Sequence, residues 1–267
     1  MASPLEFFKM SGAGNDFILA DNRQGQWNRP GLGRVAAGLC RRGLSVGADG
    51  LILVENSNRA SVRLRIFNSD GGESPMCGNG ARCAARFAFL RVMAGRRLSL
   101  ETGAGVLGAE ILSDGRVRVE VPGRTDPPRA VRLGLRERTV SGYLAFTGVP
   151  HLVVFVRDPD AVPVREMGGL LRRAPELGPS GANVNFVELE AAGPRKLRTF
   201  ERGVEDETLA CGTGAAAVAW VLHSLGRASG TVALLPRSGK LLEVEVRPPG
   251  AGHPFRLTGE ARLVYRG

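Results

Sequence analysis

The sequence predicts an α+β protein built of two homologous halves related by a pseudo-two-fold axis, each a β-rich sheet wrapped around a central helix. Three observations predict it. One order of motifs occurs twice, each copy mixes short alternating strands with one helix-forming stretch, and a polar, proline-rich segment parts the copies. The parting places one half at residues 1–122 and the other at 123–267. An active site is then expected in the interdomain cleft, where equivalent elements face each other.

A glycine turn running into an apolar strand opens each half, at residues 8–20 and again at 144–154. Next come Gly47-Ala48-Asp49-Gly50 and Gly181-Ala182-Asn183-Val184, each a Gly-Ala-Asx turn before a short strand. Alternating strands follow at 64–68 and 197–201; Phe67 precedes Cys77 by ten residues and Phe200 precedes Cys211 by eleven. The agreement is greatest at Cys77-Gly78-Asn79-Gly80-Ala81 and Cys211-Gly212-Thr213-Gly214-Ala215, each leading into an apolar helix-forming stretch. Further strands are expected at 98–102 and 116–121, and at 231–235 and 240–246. Residues 122–129 read as the linker.

Composition bounds the rest. A chain of 267 residues, 43% hydrophobic and 23% charged, suits a soluble globular protein of one large or two ordinary domains. The formal charge of +10 raises the question of nucleic acid, yet Lys9, Lys196 and Lys240 are the only lysines and aromatics are sparse at 6%. The arginines fall in short pairs such as Arg41-Arg42 and Arg172-Arg173, which reads as a solvated surface rather than a nucleic-acid footprint. Their field can still draw in an anionic or zwitterionic substrate. The start of the chain carries no charged leader, and nowhere do about 20 apolar residues run together, so neither a signal peptide nor a membrane span is expected. Cys40, Cys77, Cys83 and Cys211 lack the paired spacing and neighbouring histidines of a zinc site, so no metal is expected. A reducing cytoplasm is the natural setting.

The two Cys-Gly-x-Gly helix starts point to proton chemistry. A cysteine at a helix N-terminus meets unpaired N–H groups and the positive end of the helix dipole, both of which favour its thiolate. The N–H groups of Gly78-Asn79 and Gly212-Thr213 can cradle a carboxylate. One such start alone would read as a turn beside a small buried hydrophobe. Two at equivalent points of a doubled chain read as a base and an acid on opposite faces of one α-carbon, with neither metal nor pyridoxal phosphate required. Cys83 and Cys40 lie in apolar stretches and read as core.

These residues resemble the diaminopimelate epimerase family over nearly the whole chain. The resemblance rests on residues 9–17, 67–71 and 76–82, Pro150-His151, residues 181–185, and 201–203 through 207–214. It implies interconversion of LL- and meso-diaminopimelate in lysine and peptidoglycan biosynthesis, without a cofactor, on the two-domain fold named after that enzyme. It implies that Cys77 is the base toward the LL isomer and Cys211 toward the meso isomer, with Glu201 and His151 also catalytic. Asn15, Asn68, Asn183 and Arg202 would hold the unreacting L-centre; Arg202 suits its carboxylate because a guanidinium binds one bidentately. The last strand, around 257–265, would return to the first domain. Two departures stand out: Val149 where the family often has asparagine, aligned by the repeat with Asn15, and Gly50 where some members carry glutamine.

Two other readings compete with the epimerase. One is a racemase of another amino acid on the same fold, of proline, hydroxyproline or histidine type. Asn79 and the distal set ending in Arg202 argue against proline, which has no second amino-acid end. The other is a thiol redox sensor using Cys77 and Cys211. The partner expected is a small molecule, without nucleic acid or membrane, and the oligomeric state is open between a monomer and a homodimer.

Overall fold

The computed structural model describes residues 6–135, 138–248, 250 and 252–267. They gather into two compact units, Met1–Val119 with Gly259–Gly267, and Glu120–Thr258.

The first unit starts with β1 (Phe8–Gly12) and β2 (Asn15–Asp21), then α1 (Leu32–Cys40), β3 (Gly50–Glu55), β4 (Val62–Asn68) and β5 (Glu73–Ser74). α2 (Gly78–Leu90), β6 (Arg97–Thr102), β7 (Gly105–Ile111) and β8 (Val117–Val121) follow. The β1–β2 hairpin closes through Ala13 and Gly14, both at positive φ (58° and 92°), the twist that suits a two-residue turn. Strand β2 runs parallel to β3, which is antiparallel to β4. β4 pairs antiparallel with β5 and parallel with β6, and β6–β7–β8 form an antiparallel meander.

The second unit holds β9 (Arg129–Leu135), β10 (Arg138–Phe146), β11 (Pro150–Val156), α3 (Val164–Leu171), β12 (Asn183–Glu188), β13 (Arg195–Glu201) and β14 (Asp206–Thr208). Then come α4 (Gly212–Ser224), β15 (Thr231–Pro236), β16 (Leu242–Val246) and β17 (Phe255–Gly259); β18 (Arg262–Arg266), last in the chain, belongs to the first unit. Its ladders repeat those of the first unit in order and sense: β10–β11 antiparallel, β11–β12 parallel, β12–β13 and β13–β14 antiparallel, β13–β15 parallel, β15–β16 antiparallel. The architecture is thus α+β and doubled. The strand after each copy pairs outside it: β9 joins β10, and β18 joins β1.

Each cysteine-capped helix is the centre of its unit. α2 touches β1, β2, β3, β4, β6 and β7, and α4 touches β10, β11, β12 and β16. A helix surrounded by strands needs a mostly apolar surface, and the sequence supplies it: Ala81, Ala84, Ala85 and Ala88 in α2, and Ala215 through Ala219 in α4, are fully buried, with Asn79 and Arg82 the buried polar exceptions in α2. α1 covers the other face of the first sheet, where Trp27, Leu32, Ala36 and Cys40 pack on Ile18, Leu51, Leu53 and Phe67. In the second unit α3 does the same with Val164 and Leu171 against Val184, Phe186 and Phe200. Among the described residues no helix is long and apolar enough to cross a membrane.

The ladders refine the repeat by one residue. The shared Gly-Ala-Asx pattern sets Asp49 against Asn183, but Leu51 faces Phe67 and Val184 faces Phe200, so Gly50 occupies the place of Asn183. Phe17 beside Gly50 then corresponds to His151 beside Asn183, and Val149 to Asn15.

Candidate active site

Cys77 caps α2 from an extended backbone (φ −141°, ψ 118°), and its Sγ accepts a hydrogen bond from Gly80 N–H at 3.4 Å. A Cβ at Gly80 would lie 2.9 Å from Ile52 Cδ1, so glycine lets the helix start settle onto β3 without moving that side chain. Asn15 Oδ1 stands 3.8 Å from Cys77 Sγ and accepts from Asn79 Nδ2 at 3.3 Å. Behind it, Asn15 Nδ2 donates to Asp49, which also accepts from Asp16 N–H at 3.0 Å and from Arg42 at 2.8 Å. Lys9, buried, reaches Asp16 at 2.7 Å. Burial would raise the Asp16 carboxyl, but hydrogen bonds from Arg42 and Lys9 outweigh it and hold the group below the ordinary range. Asn68 ends β4 at an exposed position, and among the described residues its side chain makes no hydrogen bond.

Cys211 caps α4 in a similar backbone conformation (φ −118°, ψ 112°), but its surroundings differ. It is 5% exposed, with Sγ 3.5 Å from Thr213 Oγ1. Burial first, and the neighbouring Glu201 carboxylate second, push its thiol well above the ordinary range, against opposing help from Thr213 and Gly214 N–H. At rest this sulfur carries its proton. Glu201 ends β13 and is fixed by the Thr208 hydroxyl, which donates to its Oε1. The α4 start is tied down by Thr147, whose hydroxyl donates to Thr213 O at 2.8 Å.

His151, on β11, is fully buried, and its pKa is lowered to about 3, by burial first and by the Arg202 charge second. It is a neutral imidazole. Asn185 Nδ2 lies 3.2 Å from its Nδ1, while Asn185 Oδ1 accepts from Thr199 at 3.1 Å. The Asn185 amide therefore turns its NH2 to Nδ1. Asn183 likewise turns its NH2 toward Nε2 at 3.5 Å, because its Oδ1 accepts from Arg202 N–H at 2.8 Å; a neutral ring accepts from only one of the two. Arg202 also donates to Ser180 O at 3.1 Å. The turn carrying it is clamped by Glu205, a non-glycine residue at φ 57° whose carboxylate receives Gly203 N–H, Arg172 and Arg173. Those bonds, led by Gly203 N–H, bring the Glu205 pKa down to about 2.

The first unit thus gathers Asn15, Cys77, Gly78 and Asn79 around one sulfur, with Asn68 at the strand end beyond. The second gathers Glu201, Cys211, Gly212 and Thr213, with His151, Asn183 and Arg202 as a linked set. The contact with Cys77 gives Asn15 a place beside a thiol, in addition to the distal role its resemblance implies. Cys40 and Cys83 are core thiols, burial pushing them up to about 11 and about 12. Among the described residues no three His, Cys, Asp or Glu side chains gather as metal ligands would.

The family model for diaminopimelate epimerase matches residues 7–125 and 143–264. A diaminopimelate epimerase of Chlorobaculum tepidum is 42% identical over 261 residues, covering 97% of this chain and 98% of its own. One of Aquifex aeolicus is 41% identical, covering 98% and 97%. The chain belongs to the diaminopimelate epimerase family. The fold is shared more widely: a probable proline racemase from Agrobacterium radiobacter superposes with a TM-score of 0.73 at 17% identity, covering 99% of this chain and 92% of that one. A hydroxyproline epimerase from Agrobacterium vitis gives 0.72 at 16% identity, covering 98% and 91%. At such identity the likeness shows the fold alone.

For a member of this family, the residues that sequence reasoning missed are the ones that hold the named side chains. Asp49 had a signal, since it stands in a repeated turn motif, but the pattern matched it with Asn183 and gave it a turn role. Arg82 lay inside the matched motif without a task. Asn185 and Thr208 lay inside matched stretches without a task, because their partners His151, Thr199 and Glu201 meet them only across ladders; Glu205 meets Arg172 only across 33 residues. Gly50 has a steric reason: a Cβ there would sit 2.5 Å from Phe67 O, leaving no room for a larger side chain.

Proposed function

We propose that this chain is a cytoplasmic isomerase that converts LL-2,6-diaminopimelate to meso-diaminopimelate by a two-base reaction between Cys77 and Cys211, serving lysine and peptidoglycan precursor synthesis. The observation that carries the reading is the pair of cysteine-capped central helices at equivalent points of a doubled fold, one thiol half-buried and one held protonated. Cys77 as thiolate takes the α-hydrogen, and Cys211 as thiol delivers a proton to the opposite face. Each sulfur ends in the other's starting state, so the reverse reaction begins with the roles exchanged. The α-carboxylate, gripped by N–H groups at Gly78-Asn79 and Gly212-Thr213, gains stabilisation as carbanion charge spreads into it. Arg202, with Asn68 and Asn183, takes the second carboxylate and ammonium, while neutral His151 adds no charge beside them. Neither a metal nor an organic cofactor enters the scheme, and a small amino acid is the only partner it calls for.

The test is α-hydrogen exchange and inversion in deuterated water without added cofactor, with LL-diaminopimelate beside L-proline and L-histidine. Exchange and inversion confined to diaminopimelate, and crippled by Cys77→Ser or Cys211→Ser, is the expected result. Reaction with another amino acid alone would overturn the substrate, and no reaction with any would overturn the activity.

A further inference from the structure

Beneath Cys77 runs a chain of hydrogen bonds with a charge at each end. Arg82, in α2, is fully buried and donates through its terminal nitrogen to Asn79 Oδ1 at 2.8 Å. Asn79 Nδ2 donates to Asn15 Oδ1 at 3.3 Å, and Asn15 Nδ2 donates to Asp49. Every bond points the same way, from cation to anion. Arg82 is itself fixed by donating to Gly78 O and Glu260 O at 3.4 and 3.3 Å, and Asp49 by Asp16 N–H and Arg42.

An asparagine amide is a symmetric shape with unlike ends, and only its partners decide which end faces where. A guanidinium has donors and no acceptor, and a carboxylate has acceptors and no donor. Arg82 therefore demands the oxygen of Asn79, Asp49 demands the NH2 of Asn15, and the middle bond forms only when both demands are met. Bonds aligned head to tail also polarise one another. We propose that Arg82 and Asp49 are positioning residues that lock the amides of Asn79 and Asn15, so that Asn15 turns an oxygen and not an NH2 toward the Cys77 sulfur. Neither end group touches that sulfur; each acts through an asparagine. An acceptor beside the sulfur leaves the thiolate strongly basic and receives the proton it gains or a substrate ammonium, whereas a flipped amide would donate to the thiolate and weaken it as a base.

Asp49→Ala tests this, because it removes every side-chain acceptor at that place, and Asn15 loses its reason to stay. The variant is made in the wild-type and the Asn15→Ala backgrounds, and two quantities are read. One is the rate at which iodoacetamide modifies Cys77 in the native fold, followed on the Cys77 peptide by mass spectrometry; the other is kcat and KM. Loss of the Asp49 charge acts in both backgrounds, but release of the amide acts only where Asn15 is present. The expected result is Cys77 modification faster by about tenfold with Asn15 in place and about twofold without it, as befits loss of a bond to a charged group. In parallel kcat falls by about tenfold, with KM changing less, in the Asn15 background alone. Arg82→Met removes the donors and keeps an unbranched side chain of similar length, and is expected to move both quantities in the same direction as Asp49→Ala. Equal effects of Asp49→Ala in the two backgrounds, or none in either, would overturn the proposal; so would an Arg82→Met protein with wild-type melting and wild-type Cys77 reactivity. The kcat arm rests on the epimerase reading, whereas the modification arm decides the chain of bonds even in a protein that turns over no diaminopimelate.

Discussion

The two cysteine-capped helices share a backbone and differ in what lies under them. Gly80, three residues into the Cys77 motif, rests on Ile52 and Phe17, an apolar floor. Gly214, its counterpart, rests on Asn185, and His151 fills the place of Phe17. The polar groups of the first unit lie instead to the side, in Asn15, Asn79 and the cluster of Asp16, Asp49, Arg42 and Lys9. Around Cys211 they comprise Glu201, Thr213 and the His151–Asn183–Asn185 set, in a more buried setting that keeps the thiol protonated. The two helix starts share their backbone conformation, while floor and flanks differ and give the two sulfurs unlike settings.

The largest effect should come from deleting either sulfur. Cys77→Ala or Cys211→Ala is expected to lower the rate of inversion by about a thousandfold or more, measured by conversion of the LL isomer. The two variants should differ in kind: Cys211→Ala still exchanges the α-hydrogen of the LL isomer without inverting it, whereas Cys77→Ala does not. Identical behaviour of the two would break the comparison. Next, Glu201→Gln removes a charge that raises the Cys211 thiol. Cys211 should then react with iodoacetamide about tenfold faster at neutral pH, while Cys40 and Cys83 stay inert in the native fold.

His151 gives a smaller, pH-dependent effect. Its folded pKa of about 3 lies below the value of an unfolded histidine, so the unfolded chain binds the extra proton as pH falls. Stability contributed by the neutral ring is complete above about pH 6.5 and declines below it, by about 2 kcal/mol at pH 5. Denaturant melts at pH 5 and 7.5 should show this loss in the wild type and a flatter dependence in His151→Gln. Phe17, in the matching place, has no titrating group, so this histidine contribution has no counterpart in the first unit. The smallest effect expected is from Val149→Asn, which restores the polar residue at the place of Asn15; KM should change by no more than about threefold, because one solvent-competed hydrogen bond contributes little.

Much of this was legible before any coordinates. The repeat, the two helix starts and the alternating strands are local patterns of glycine and apolar spacing, and the structure reproduces them with one correction: β7 (Gly105–Ile111) stands between the strands expected at 98–102 and 116–121, and it is β7 that answers β16. What was not legible is the support. Asp49 meets Asn15 across 34 residues and Glu205 meets Arg172 across 33, and no spacing rule reports such pairs. The offset between Asp49 and Asn183 shows the limit: a repeated Gly-Ala-Asx string aligned them, and the ladder register separated them by one residue. The protonation of Cys211 was likewise hidden, because it follows from burial and from a glutamate on another strand rather than from the helix start the two cysteines share.

The central claim is that two unequal sulfurs serve one carbon, and deuterium at early conversion tests it most directly. LL-diaminopimelate is incubated with the enzyme in deuterated water, and substrate and product are separated while little has reacted. The account predicts that the meso product carries deuterium at the inverted centre, while the remaining LL substrate keeps its hydrogen. Equal deuterium in both pools, or hydrogen retained in the product, would mean that a single base serves both faces and would contradict it.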